Sequence, residues 1–120
     1  LSIDIQPKHA AHSYSLSADV AKDLFEKTQD ASWLIKCYLC RIESAKLSEN
    51  FNKKHSAHSY SFAGNAAKEL FELTQDSHWK DKALKAYQKF LEYYFKTQDK
   101  RLERLAKRIS SVLTLLQSQT

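Results

Sequence analysis

The sequence predicts an all-α domain: tandem antiparallel helical hairpins closed by a C-terminal capping helix. Three observations predict it. The 120 residues include one Gly and one Pro, too few for a β-rich domain, whose turns recur roughly every ten positions. Residues 47–92 align with residues 1–46 without a gap, and 19 of the 46 pairs are identical. The tripeptide Thr-Gln-Asp occurs three times, at 28–30, 74–76 and 97–99. Each time, one periodic segment stops there and the next begins. A repeat of this length marks supersecondary units stacked in series. The chain divides into repeat one (1–46), repeat two (47–92) and a terminal segment (93–120), within a single domain.

Each element follows from the pattern. The first helix of repeat two carries Tyr60, Ala63, Ala67, Leu70 and Thr74 at alternating steps of three and four, widened by Ala66 and Phe71. This is one face of an amphipathic helix. The same face in repeat one is Tyr14, Ser17, Ala21, Leu24 and Thr28, beside Phe25. The second helix of repeat two carries Trp79, Ala83, Ala86, Tyr87, Phe90 and Tyr94. Repeat one has a thinner stripe there: Trp33, Cys37, Cys40 and Ser44. Asp30, Asp76 and Asp99 are the expected N-caps, since a carboxylate accepts the orphan N–H groups of a helix start. Connections this short make consecutive helices antiparallel neighbours. The polar segment 47–54 joins the repeats, with 1–8 as its counterpart.

A fifth helix runs from Asp99. Leu102, Leu105, Ile109, Val112, Leu113 and Leu116 share one face, and Lys100, Arg101, Arg104, Lys107 and Arg108 lie mostly opposite. Such a helix closes the last apolar face of an array. The expected core is Tyr14, Leu24, Phe25, Trp33, Cys37, Tyr60, Leu70, Phe71, Trp79, Ala83, Tyr87, Phe90, Leu102, Leu105 and Ile109.

Composition narrows the function. Apolar residues make up 42% and charged residues 28%, enough to build a core. No glycine-rich loop exists for a dinucleotide or P-loop site. No apolar run approaches the roughly 18–20 residues of a membrane span. No secretory signal is visible, so the expected location is cytoplasmic. The chain has no Met and starts at a repeat boundary, which suggests a piece of a longer array.

Tyr60, Ala63, Gly64 and Ala67 on one helix, then Ala83 and Tyr87 on the next, carry a resemblance. The hairpin resembles the tetratricopeptide repeat family, with its aromatic-x2-apolar-Gly and Ala-x3-Tyr patterns. Repeat one keeps Tyr14 and Ala21, with Ala18 in the Gly64 place and Cys37 in the Ala83 place. The period is 46 residues rather than about 34, so longer hairpins are expected. Residues 55–117 also resemble, more weakly, a three-helix bundle of the microtubule-interacting-and-trafficking type, with helices at Lys82–Phe95 and Asp99–Leu116. The tetratricopeptide resemblance implies an α-solenoid that acts as a non-catalytic protein–protein interaction scaffold. Its ligand, a peptide or a partner domain, would lie along the groove of the first helices. The groove-facing residues it implies are His12, Ser15, Asp19, Lys22 and Asp23, then His58, Ser61, Asn65, Lys68 and Glu69. Asn65 with Lys68 resembles part of the clamp with which some members grip a terminal carboxylate.

Other chemistry is thinly represented. Cys37 and Cys40 form a C-x-x-C without a βαβ context or a second such pair, and they read as small packing residues. His9 and His12 recur as His55 and His58, at a spacing that sets each pair on one side of a helix start, but no carboxylate completes a metal set. No catalytic constellation, cofactor or metal site is expected, and the chain reads as no enzyme.

Two alternatives remain at the C-terminus. Residues 1–46 carry net charge 0, residues 47–92 net +1 and residues 93–120 net +4. The basic stripe Lys100, Arg101, Arg104, Lys107 and Arg108 is an alternative site for nucleic acid or an anionic surface. Aromatic residues are not interleaved with it, which argues against single-stranded nucleic acid. The face Leu102, Leu105, Ile109, Val112 and Leu116 is an alternative surface for self-association or packing.

Overall fold

The computed structural model describes residues 6–119. It consists of α1 (Gln6–Thr28), α2 (Ala31–Ser48), α3 (Lys53–Thr74), α4 (Ser77–Thr97) and α5 (Glu103–Ser118), with one 3-10 turn at Lys100–Leu102. No strand occurs among the described residues. Each helix packs on the next, and α5 packs chiefly on α4. The packing is antiparallel. Ser44 of α2 reaches the Ala11 carbonyl of α1, while Arg41 reaches Asp19 further along. Tyr87 and Phe90 of α4 meet Asn65 and His58 of α3 in the same inverted order. Lys80, early in α4, donates to the Gln119 carbonyl just past α5.

Thr-Gln-Asp is a self-contained joint between helices. Its Thr hydroxyl donates back to the carbonyl four residues earlier: Thr28 to Leu24, Thr74 to Leu70, Thr97 to Tyr93. Its Gln is left-handed, with φ of 60° at Gln29, 59° at Gln75 and 54° at Gln98. Glycine usually fills that place, because a Cβ crowds the left-handed backbone. Here the Gln amide offsets part of the strain by donating to the carbonyl three residues back, at 3.1 Å for Gln29, 3.2 Å for Gln75 and 3.1 Å for Gln98. The Asp carboxylate then accepts the N–H two residues on, at Ser32, His78 and Arg101. Asp30 and Asp76 cap α2 and α4 as expected, whereas Asp99 caps the 3-10 turn and α5 itself starts after Leu102 without a side-chain cap. Those contacts hold the Asp30 and Asp99 carboxyls below the ordinary range, led by the Ser32 N–H at Asp30 and the Arg101 side chain at Asp99.

The joint between the repeats is different. α2 runs to Ser48, four residues turn, and Asn52 caps α3 by accepting the His55 N–H at 3.0 Å. Of the segment 1–8, residues 1–5 lie outside the described residues, and α1 begins at Gln6.

The core departs from the expected set at several places. Phe25, Cys37, Tyr60, Leu70, Ala83, Tyr87, Phe90, Leu102 and Ile109 are buried. Leu24, Trp33, Phe71, Trp79 and Leu105 are only half-buried. Tyr14 is exposed, because no helix covers the outer side of α1 among the described residues. Leu34 and Tyr38 are buried instead, and Tyr38 packs edge-on against Trp79 at 5.4 Å between ring centroids. The face offered for self-association is in use within the chain. Leu102, Ile109 and Leu116 are buried, while Leu105 and Val112 lie half-buried against the core.

Candidate functional site

The residues assigned to the first-helix groove are placed as follows. Asp19, Lys22 and Asn65 line one cleft between α1 and α3, about 270 Å³ in volume, with Cys37 and Arg41 of α2 and with Phe62. The Asp19 carboxylate, the Lys22 ammonium and the Asn65 amide oxygen are already engaged. Arg41 lies 2.5 Å from Asp19 and stacks over the Phe62 ring, 4.6 Å from its centroid. Lys22 crosses from α1 to Glu69 of α3 at 2.9 Å. Asn65 Oδ1 accepts the Tyr87 hydroxyl at 2.6 Å. Lys68 pairs with Glu72 on its own helix at 3.0 Å. The two residues of the supposed clamp therefore hold partners within the fold. Ser61 is buried and donates to the His58 carbonyl. His12 and Asp23 are exposed.

Three helices gather a polar cluster that the sequence did not reveal. Ser44 is fully buried on α2, and its hydroxyl donates to the Ala11 carbonyl at 2.8 Å. Its lone pairs face Ser15 Oγ at 2.8 Å and His55 Nε2 at 3.1 Å. Ser48 and Ser56 donate to backbone carbonyls of α2 close by. Ser44 and His55 are not arranged as nucleophile and base. The Ser44 proton is spent on a carbonyl, and the hydroxyl is closed to solvent. Burial, then Arg41 and His12, push the His55 imidazole below its ordinary pKa. His58 stacks edge-on to Phe90 at 6.4 Å, and burial lowers it too.

Cys37 and Cys40 are free and buried, and burial raises both thiols. They fill the slots that Ala83 and Ala86 fill in repeat two. Among the described residues, no three His, Cys, Asp or Glu side chains converge on a point where a metal ion could sit.

The basic stripe of the last helix is exposed throughout. Arg101 forms an ion pair with Asp99 at 3.1 Å, and Lys107 lies 4.0 Å from Glu103. Lys100, Arg104 and Arg108 make no ion pair within 4 Å among the described residues.

Two surfaces were missed by sequence reasoning. One is the outer side of α1, where Leu16, Val20 and Leu24 with Trp33 of α2 line an apolar hollow of about 340 Å³. Aligning exposure across the 46-residue offset reveals it. Tyr14 is 38% exposed and Val20 58%, whereas their counterparts Tyr60 and Ala66 are 7% and 4% exposed beneath α2. The other is a lysine-rimmed groove between α2 and α4. The candidate site is thus a set of helical surfaces. No helix of the described residues is long and apolar enough to cross a membrane. The chain matches no protein-family model, no curated protein and no solved structure.

Proposed function

We propose that the chain is a non-catalytic protein–protein interaction scaffold, two tandem hairpins of the tetratricopeptide-like kind that take a partner helix or peptide along the first helices. One observation carries this reading. The apolar strip of α1 is left open at Tyr14 and Val20, while the matching Tyr60 and Ala66 of α3 are buried under a helix. One repeat along, α2 shows what covers such a strip: a helix laid antiparallel, with Ala45 accepting from Ser56 and Arg41 over Phe62. Helix-in-groove recognition uses that geometry, with apolar anchors at helical spacing. The first-helix cleft lies on the other side of α1, and its charges are paired within the fold.

The test uses a labelled synthetic peptide of residues 31–48, titrated into the intact chain. Saturable binding is expected, reduced about tenfold by Val20→Arg, which places a charge in the strip. Val20 is exposed, so the variant keeps its fold, and circular dichroism verifies this. Absence of binding, or equal binding by the variant, overturns the reading.

A further inference from the structure

We propose that the groove between α2 and α4 binds an acidic protein segment that carries apolar side chains. The groove has a volume of about 360 Å³. Its floor includes Leu39, which is 54% exposed, and the half-buried Ile42. Its rim is Lys46 from α2 and Lys82, Lys85 and Lys89 from α4, against one carboxylate, Glu43. The α4 lysines stand at steps of three and four, which sets them on one face of the helix. From Lys82 to Lys89 they span about 10 Å at the rise of an α-helix.

Three lysines elsewhere in the chain are paired on their own helices: Lys22, Lys68 and Lys107 each have a glutamate within 4 Å. Lys46, Lys82, Lys85 and Lys89 make no ion pair within 4 Å among the described residues. Lys89 lies over the Tyr60 ring, 5.9 Å from its centroid. A second cavity of about 320 Å³ shares Tyr60 and Lys89 and adds Lys53 and Lys96, but Glu49 and Glu92 line it too, so the excess of positive charge belongs to the first groove. Positive charge arrayed over an apolar floor is complementary to carboxylates spaced along an amphipathic segment. A phosphate backbone would answer the lysines but has nothing to lay on Leu39 and Ile42. A protein segment answers both.

This surface lies on the second helices and is independent of the α1 strip, so either reading can fail alone. The probe is a short synthetic helical peptide in which glutamates flank a row of leucines, with a glutamine-for-glutamate version as control. Binding is measured by fluorescence anisotropy at low and at physiological salt, where exposed charges are increasingly screened. The glutamate peptide is expected to bind, and the glutamine peptide to bind at least about tenfold more weakly. The Lys85→Glu/Lys89→Glu variant should weaken the glutamate peptide by about tenfold or more. Leu39→Ser should weaken it several-fold, and Lys107→Glu on α5 should leave it unchanged. All four residues are exposed, and circular dichroism confirms each fold. Equal effects of Lys107→Glu and Lys85→Glu/Lys89→Glu would overturn the proposal, as would no binding. So would an oligonucleotide or phosphatidylserine vesicle that binds as tightly and ignores Leu39→Ser.

Discussion

The two repeats solve the same packing problem with different side chains. At the position where repeat one has Arg41, repeat two has Tyr87. Arg41 pairs with Asp19, and Tyr87 donates to Asn65, the residue at the Asp19 position. The residue before each partner follows suit. It is Ala18 beside the long, flexible arginine and Gly64 beside the rigid ring. A Cβ built on Gly64 would stand 2.6 Å from Tyr87 Cδ1 and Cε1. Three positions have thus changed together, from an ion pair with room for a methyl to a neutral hydrogen bond without it. The two sequence-related helix pairs keep the same positions while the contacts between them are renegotiated locally.

The largest effect should come from placing the same charge at equivalent positions of the two first helices. Ala66→Arg puts an unpaired cation in the core beneath α2, and a loss of about 4 kcal/mol or more is expected in urea unfolding. Val20→Arg meets only solvent and should stay within about 0.5 kcal/mol of the parent. Similar losses from both would show that α1 is covered in solution, for instance by a second copy of the chain.

A smaller effect tests the Gly64–Tyr87 contact. Gly64→Ala is expected to cost about 1–3 kcal/mol through overpacking against the buried ring, even though alanine is the better helix former. The mirror change Ala18→Gly has no ring to relieve. It should lose only about 0.5–1 kcal/mol of helix propensity. Installing the repeat-one trio, with Gly64→Ala, Asn65→Asp and Tyr87→Arg together, should recover part of the Gly64→Ala loss in thermal unfolding. If Gly64→Ala is neutral, Tyr87 has space to move aside and the proposed coupling between the two positions is wrong.

The comparison also explains which features were legible in the sequence. The helix joints were, because Thr-Gln-Asp acts within a few residues and Asp capping is local chemistry. The left-handed Gln29, Gln75 and Gln98 were not, because that conformation ordinarily calls for glycine and is tolerated here with a side-chain amide bond. Tyr14 was misplaced in the core because the repeat pattern carries over a residue's identity but not its neighbour. Tyr60 has α2 above it, and Tyr14 has no described counterpart. The Ser15–Ser44–His55 cluster draws on three helices, and no periodicity within one helix marks it. The lysine groove was hidden by arithmetic. Its lysines are split between repeats of net charge 0 and +1, diluted by acids on other faces, while the +4 of the last segment drew attention to α5.

The histidines supply the gentlest test, and it too separates the repeats. His55 and His58 are half-buried and held below the ordinary imidazole pKa, chiefly by burial. A group whose folded pKa is depressed stabilises the fold above its unfolded pKa, about 6.5 for histidine. That contribution falls away as pH drops toward the folded value, because the unfolded chain takes up protons first. Thermal stability should therefore decline modestly as pH falls from neutral to about 5, before carboxylate protonation begins. The slope should flatten in His55→Asn, since Asn can still donate to Ser44. The equivalent His9→Asn, at an exposed residue of α1, should leave the slope unchanged. A profile equally steep in His55→Asn would mean that the Ser44 hydroxyl accepts the charged imidazole as readily as the neutral one. The cluster would then be pH-indifferent packing, and the asymmetry between the repeats would be one of shape alone.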